Sequence, residues 1–311
     1  MKHVRRVAAI VAALALSLSL GIAPAVALST GTLPDWACSP ADTAAGVGST
    51  ARGGITDSRG VIREKDTGQV ARDMPASAKN AAPSDMQVTV PVWFHVIHDA
   101  GEGNVSDRAI DAQIRVLNVT FGGGEGGDDT GFSFELAGVT RTDNARWYAI
   151  RSGGAEHEMK HALKTGDDAT LNLYSTSGGA YLGWAYLPEI TDTAQAYLDG
   201  VVIDWRTMQG VSDAYEDEFD EGETATHEVG HWLNLEHTFY GGCNRTGDFV
   251  DDTPAMKTPT SGCPEGKDTC PAPGLDPVEN YMDYSFDDCY TEFTPGQTQR
   301  MRDAWLLWRA T

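Results

Sequence analysis

Two stretches of this 311-residue chain carry the same pattern, HEMKH at 157–161 and HEVGH at 227–231. Histidines at i and i+4 of a helix project from one face, so both imidazoles can reach one Zn²⁺ while the intervening Glu takes a proton from water. Each copy also has an apolar trio on the opposite face: Met159, Ala162 and Leu163 in one, Val229, Trp232 and Leu233 in the other. The neighbours of the histidines separate them. At about 100° per residue, positions 160 and 164 share the face of His157 and His161. They are Lys160 and Lys164, whereas the second copy has Gly230 and Asn234 there. Two ammonium groups beside a dication disfavour binding by several kcal/mol, roughly what one good ligand supplies.

The third ligand separates them further, because catalytic zinc takes three protein ligands plus water. After His231 the chain reads WLNLEH, which places His237 beyond a turn at Asn234. Asn tolerates the left-handed backbone that ends a helix, so it can swing His237 back to the metal. At the equivalent spacing the first copy has Asp167, an oxygen ligand in principle, but Lys164 stands where the turn is needed. HEVGH is therefore expected to hold the metal, and HEMKH to be a solvated helix face.

The elements that must position these residues are legible from periodicity. MQVTVPVWFHVIHD reads as a strand, and SDRAIDAQIRVLNVTF as an amphipathic helix capped by Ser106. FSFELAGV, LNLY, GAYLGWAYLP and GVVIDW read as further strands. FGGGEGGDDTG is a loop; no Lys-Ser/Thr follows to make it a phosphate cradle. A long coil, 238–292, leads to a helix in FTPGQTQRMRDAWLLWR, started by Thr294 as N-cap, Pro295 at N1 and Gln297 at N3.

The chain opens with basic Lys2, Arg5 and Arg6, an apolar run and Ala25-Val26-Ala27, the pattern of a cleaved export signal over 1–27. Residues 28–82 lack hydrophobic periodicity and read as a leader or propeptide, with a catalytic domain over 83–311. The formal net charge of −22 repels nucleic acid and anionic membranes. After signal removal we expect a secreted monomer. Outside the cell Cys243, Cys263, Cys270 and Cys289 most naturally form two disulfides, in any of three connectivities. Cys38 is left over in the leader, either an incidental thiol or a switch whose thiolate occupies the open zinc position.

HEVGHWLNLEHTF, with GDFVDDTP, GCP, DTCP, ENYMDYSFDDC and FTPGQTQRM beyond it, resembles the pappalysin family of metzincin zinc metallopeptidases from about Val88 onward. Asn234 stands where metzincins usually have Gly. The resemblance implies an α+β catalytic domain: a twisted mixed sheet, an active-site helix, a disulfide-braced coil with a Met-turn, and a C-terminal helix. It implies Zn²⁺ on His227, His231 and His237, with Glu228 as general base and then general acid. Met282 becomes the Met-turn, Tyr284 an oxyanion donor or a structural tyrosine, and the bridges Cys243–Cys270 and Cys263–Cys289. GAYLGWAYLP is similar to the edge strand that binds substrate, which implies peptide or protein substrates. Structural Ca²⁺ is a family feature; Asp248, Asp251 and Asp252 are its candidates, or else a solvated loop. Asp287 and Asp288 follow the Met-turn, and an acid such as Asp288 there would favour Arg or Lys after the cleaved bond. The alternatives are a non-catalytic secreted binding protein on the same scaffold and a zinc hydrolase of some non-peptide substrate.

Overall fold

The computed structural model describes residues 72–151, 153–244 and 247–310, together with Thr67 and Gln69; the export segment and Cys38 lie outside the described residues. Strand β1 (Val88–His98) turns Val90, Val92, Phe94 and Val96 to one face at period two. Helix α1 (Asp107–Phe121) starts where the Ser106 hydroxyl accepts the Ala109 N–H at 3.2 Å. Its buried Ile110, Ile114, Leu117 and Phe121 recur at helical spacing and pack on that face.

The chain continues through β2 (Phe132–Asp143), α2 (Ala145–Ala149), α3 (Gly153–Leu163), β3 (Leu171–Thr176), β4 (Gly183–Ala185) and β5 (Val201–Asp204). The sheet order is β2-β1-β3-β5-β4; β2, β1, β3 and β5 are parallel, and β4 closes the edge antiparallel to β5. Helix α4 (Glu223–Trp232) packs with α1 in the larger core, on one side of the sheet. A second cluster, with Ile97, Met159, Tyr174, Trp184 and Val202, lies under α2 and α3. After the coil, α5 (Pro295–Ala304) begins with the expected capping box of Thr294 and Gln297 and continues as a wider turn through Trp305–Arg309. This is the expected α+β architecture.

Two expectations need correction. Of GAYLGWAYLP only Gly183–Ala185 is strand: Gly178 and Gly179 turn at φ 66° and 64°, and Pro188, lacking an N–H, opens a short helical turn. HEMKH does lie on a helix, α3, but not as a solvated face. Lys160 is fully buried, 3.2 Å from the equally buried Glu156, and donates to the carbonyls of Leu198 (2.7 Å) and Gly200 (3.3 Å). An ammonium enters a core this way only when paired and hydrogen-bonded. His157 bonds the Tyr197 hydroxyl through Nδ1, while His161 is exposed. Within the stretch read as leader, Met74 and Ala82 are buried, Met74 against Ala304 and Trp308.

Candidate metal centre

Every residue of α4 is buried, and His227 and His231 stand one turn apart on it. The helix ends at Asn234, which adopts φ 77°, and the Leu235 N–H returns to the Gly230 carbonyl at 2.9 Å. This left-handed closure, the one expected of Asn, carries His237 under the other two rings. The three Nε2 atoms lie 3.1, 3.1 and 3.2 Å apart, the only cluster of its kind among the described residues.

The donor set fits zinc. His227 Nδ1 meets the Tyr281 carbonyl at 2.6 Å and His231 Nδ1 meets the Leu235 carbonyl at 2.7 Å. A carbonyl only accepts, so Nδ1 carries the proton in both rings and the neutral ring's Nε2 presents a bare lone pair. Burial holds His231 down to about 4 and His237 well below its usual value, the latter helped by the charge of His231. Lone pairs so close repel unless a cation lies between them. Tetrahedral zinc with bonds of about 2.0–2.1 Å would separate its nitrogens by about 3.3 Å.

Glu228 is fully buried against the edge strand: a Cβ on Gly183 would stand 2.9 Å from its Cγ and 3.1 Å from Oε1. Below the rings, a Cβ on Gly230 would meet Met282 Sδ at 2.5 Å, so the absence of a side chain there admits the Met-turn. The turn is itself pinned. Asn280 and Gln297 exchange amide hydrogen bonds of 2.8 and 2.9 Å, and Met282 N–H donates to Asn280 Oδ1. The Tyr284 ring lies 4.8 Å from His237 and 5.7 Å from His227. Phe239, which sequence reasoning missed, stacks on His237 at 4.7 Å. Gln297 was read only as a cap, and its second role depends on a residue brought in by the coil.

The bridges are Cys243–Cys270 and Cys263–Cys289. The three candidate calcium aspartates do not come together. The Thr253 hydroxyl shares its one proton between both Asp248 oxygens (2.7 and 2.8 Å), Asp252 accepts from the Thr294 hydroxyl and the Gly296 N–H, and Asp251 is exposed. Asp167 serves its own turn, accepting from Ala169 N–H and the Thr170 hydroxyl. Asp288 is exposed, whereas Asp287 is buried and accepts the Glu221 N–H at 3.0 Å. Beside it burial, then the charge of Asp287, pushes the Glu223 carboxyl up to about 10.

Residues 176–305 match the family described as Pregnancy-associated plasma protein-A. Among similar proteins, an extracellular metalloprotease of Arthroderma benhamiae is 44% identical over 72% of this chain and 74% of its own. One of Pyricularia oryzae is 44% identical over 78% of this chain and 83% of its own. Among solved structures, Tannerella forsythia promirolysin, in a mutant form, superposes with a TM-score of 0.63 at 30% identity, covering 74% of this chain and 83% of that one. Mature mirolysin in complex with a cleaved peptide gives 0.60 at 32% identity, covering 71% and 92%. With a buried three-histidine centre, a Met-turn and relatives of this similarity, the chain belongs to the pappalysin family of metzincin zinc metallopeptidases.

Proposed function

We propose that this protein is a secreted zinc endopeptidase acting on extended peptide segments. The observation that carries the reading is one adjacency. Glu228, next to His227 on the helix that carries two of the three converging histidines, lies against Gly183 of the outermost sheet strand. Zinc held by His227, His231 and His237 supplies Lewis acidity toward a peptide carbonyl and a water molecule. Glu228 takes a proton from the attacking water and later delivers it to the leaving amine. In this reading Tyr284, whose ring lies against those of His227 and His237, donates to the carbonyl oxygen as negative charge develops there.

β4 ends the sheet, so a peptide can add beside it as a further strand, bound by main-chain hydrogen bonds. The solved relative with a cleaved peptide supports a peptide substrate. Export is supported by relatives named extracellular metalloproteases, and no helix among the described residues is long and apolar enough to cross a membrane. A preference for Arg or Lys after the scissile bond rests on Asp288, an exposed acid among Asp287, Asp220 and Glu221.

A removable leader has its own support. The Gln69 amide pairs with both the N–H (2.6 Å) and the carbonyl (3.0 Å) of Leu187, just beyond β4, as a substrate backbone would. Latency through Cys38 is tested by Cys38→Ala, which should make the precursor active; an unchanged latent precursor removes that role. The central test is incubation of the processed protein with a proteome-derived peptide library. Cleavage should stop with chelator and in Glu228→Ala, and a zinc-loaded protein that cleaves nothing overturns the reading.

A further inference from the structure

Arg300, on α5, is 4% exposed, and its contacts run in two directions. Nε donates to the main-chain carbonyl of Asn234 at 2.7 Å, the residue whose left-handed turn brings His237 to the centre. The guanidinium nitrogens face Asp73 Oδ1 at 3.4 Å and the Arg72 carbonyl at 3.5 Å, and the group lies over the Phe249 ring at 5.3 Å. A guanidinium this buried is oriented by its fixed partners; Asp73 is its ion pair, with Lys79 on the other side of that carboxylate.

The segment bearing Asp73 is itself clamped to α5. Asp303 accepts three consecutive main-chain N–H groups, those of Asn80 (2.6 Å), Ala81 (2.9 Å) and Ala82 (2.9 Å). Gln299 donates to the Ala82 carbonyl and Arg302 to the Ser84 carbonyl at 2.7 Å. Met74 fills the space between Ala304 and Trp308. Removing the leader after residue 82 would strip the contacts made by Asp73, Met74 and residues 80–82, and leave Arg300 buried without its ion pair to Asp73.

We propose that Arg300 is a positioning residue of the metal centre. It fastens the Asn234 turn, and through it His237, to a strap formed by residues 72–84, and the strap stays with the catalytic domain when the leader is cut away. Arg300 touches neither metal nor substrate; it acts by holding the third ligand's turn in register with α4. The inference rests on the zinc reading but not on proteolysis, and its test therefore reads metal binding directly.

The experiment compares Arg300→Gln with Arg302→Gln in the processed enzyme. Arg302 clamps the same strap, and its hydrogen bonds go to the carbonyls of Thr130, Ser84 and Asp129 rather than to the Asn234 turn. Unfolding temperature is measured for both, along with zinc affinity by competition with a fluorescent chelator and the visible spectrum of the cobalt-substituted protein. Both variants should melt lower. Arg300→Gln alone should lose about tenfold or more in zinc affinity and change its cobalt spectrum, as expected when the support of a ligand is removed. Zinc affinity and spectrum unchanged in Arg300→Gln, or lowered equally in Arg302→Gln, overturn the proposal and leave Arg300 a packing residue. Should Arg300→Gln not fold, Asp73→Asn replaces it: a measurable loss of zinc affinity supports the coupling, and a wild-type value overturns it. Sequencing the N-terminus of the processed enzyme completes the test. It should begin ahead of Asp73; a tight zinc-binding enzyme beginning beyond Ser84 is incompatible with the strap.

Discussion

A Cβ built on Gly230 would stand 2.5 Å from the sulfur of Met282. The ligand helix and the Met-turn therefore approach at a distance that only glycine permits. Gly230→Ala should force the two apart and destabilise the fold by about 1–3 kcal/mol, with weaker zinc retention. Met282→Leu conserves volume and should cost less, about 1.5 kcal/mol at most. Denaturant unfolding of the two variants, each with zinc in excess, checks both.

The two H-E-x-x-H copies make opposite predictions. His157→Ala removes one bond to Tyr197 and should leave zinc stoichiometry and proteolysis near wild type, while His227→Ala abolishes both. In the first copy the consequential residue is Lys160. Lys160→Ala takes the ammonium from beside the buried Glu156, which keeps the Trp184 indole N–H at 2.7 Å but loses that ion pair. A loss of about 3–5 kcal/mol in stability with zinc content intact is the expected outcome, measured by unfolding and metal analysis.

Tyr284→Phe keeps the ring against His227 and His237 and removes only the hydroxyl. If the phenol serves the developing oxyanion, kcat should fall by about a hundredfold with KM little changed. Steady-state kinetics on a single cleaved peptide decides, and an unchanged kcat would return Tyr284 to a structural role.

Glu223 sets a pH dependence of stability. Its carboxyl is raised from 4.5 to about 10 by burial and then by the charge of Asp287, so the folded protein keeps a proton that the unfolded chain releases. The contribution of this group is complete below about pH 4.5 and declines as pH climbs toward 10. Glu223→Gln cannot release a proton and should flatten that decline. Thermal unfolding at pH 6 and pH 9 should show a smaller drop for the variant than for the wild type; equal drops would remove Glu223 as the cause.

How much was legible beforehand follows the range of the interactions involved. The i, i+4 histidines, the left-handed Asn234, the Ser106 cap and the Thr294–Gln297 capping box each depend on residues within a turn or two. Sequence by itself determined these, and with them the metal centre and its chemistry. The bridges came from family resemblance, since four cysteines alone leave three pairings open.

Burial was decided only by tertiary structure. HEMKH and HEVGH have the same local pattern, yet what meets each helix comes from far along the chain: Tyr197, Leu198 and Gly200 for one, Met282 and Tyr284 for the other. No window around Lys160 says that its ammonium will be enclosed. None around Arg300 says that it will join Asp73 to Asn234, and none around Asp287 that its neighbour Asp288 will be the exposed one. Dihedral preferences act over a few bonds, whereas desolvation and ion pairing act across the packed interior, where partners distant in sequence become neighbours.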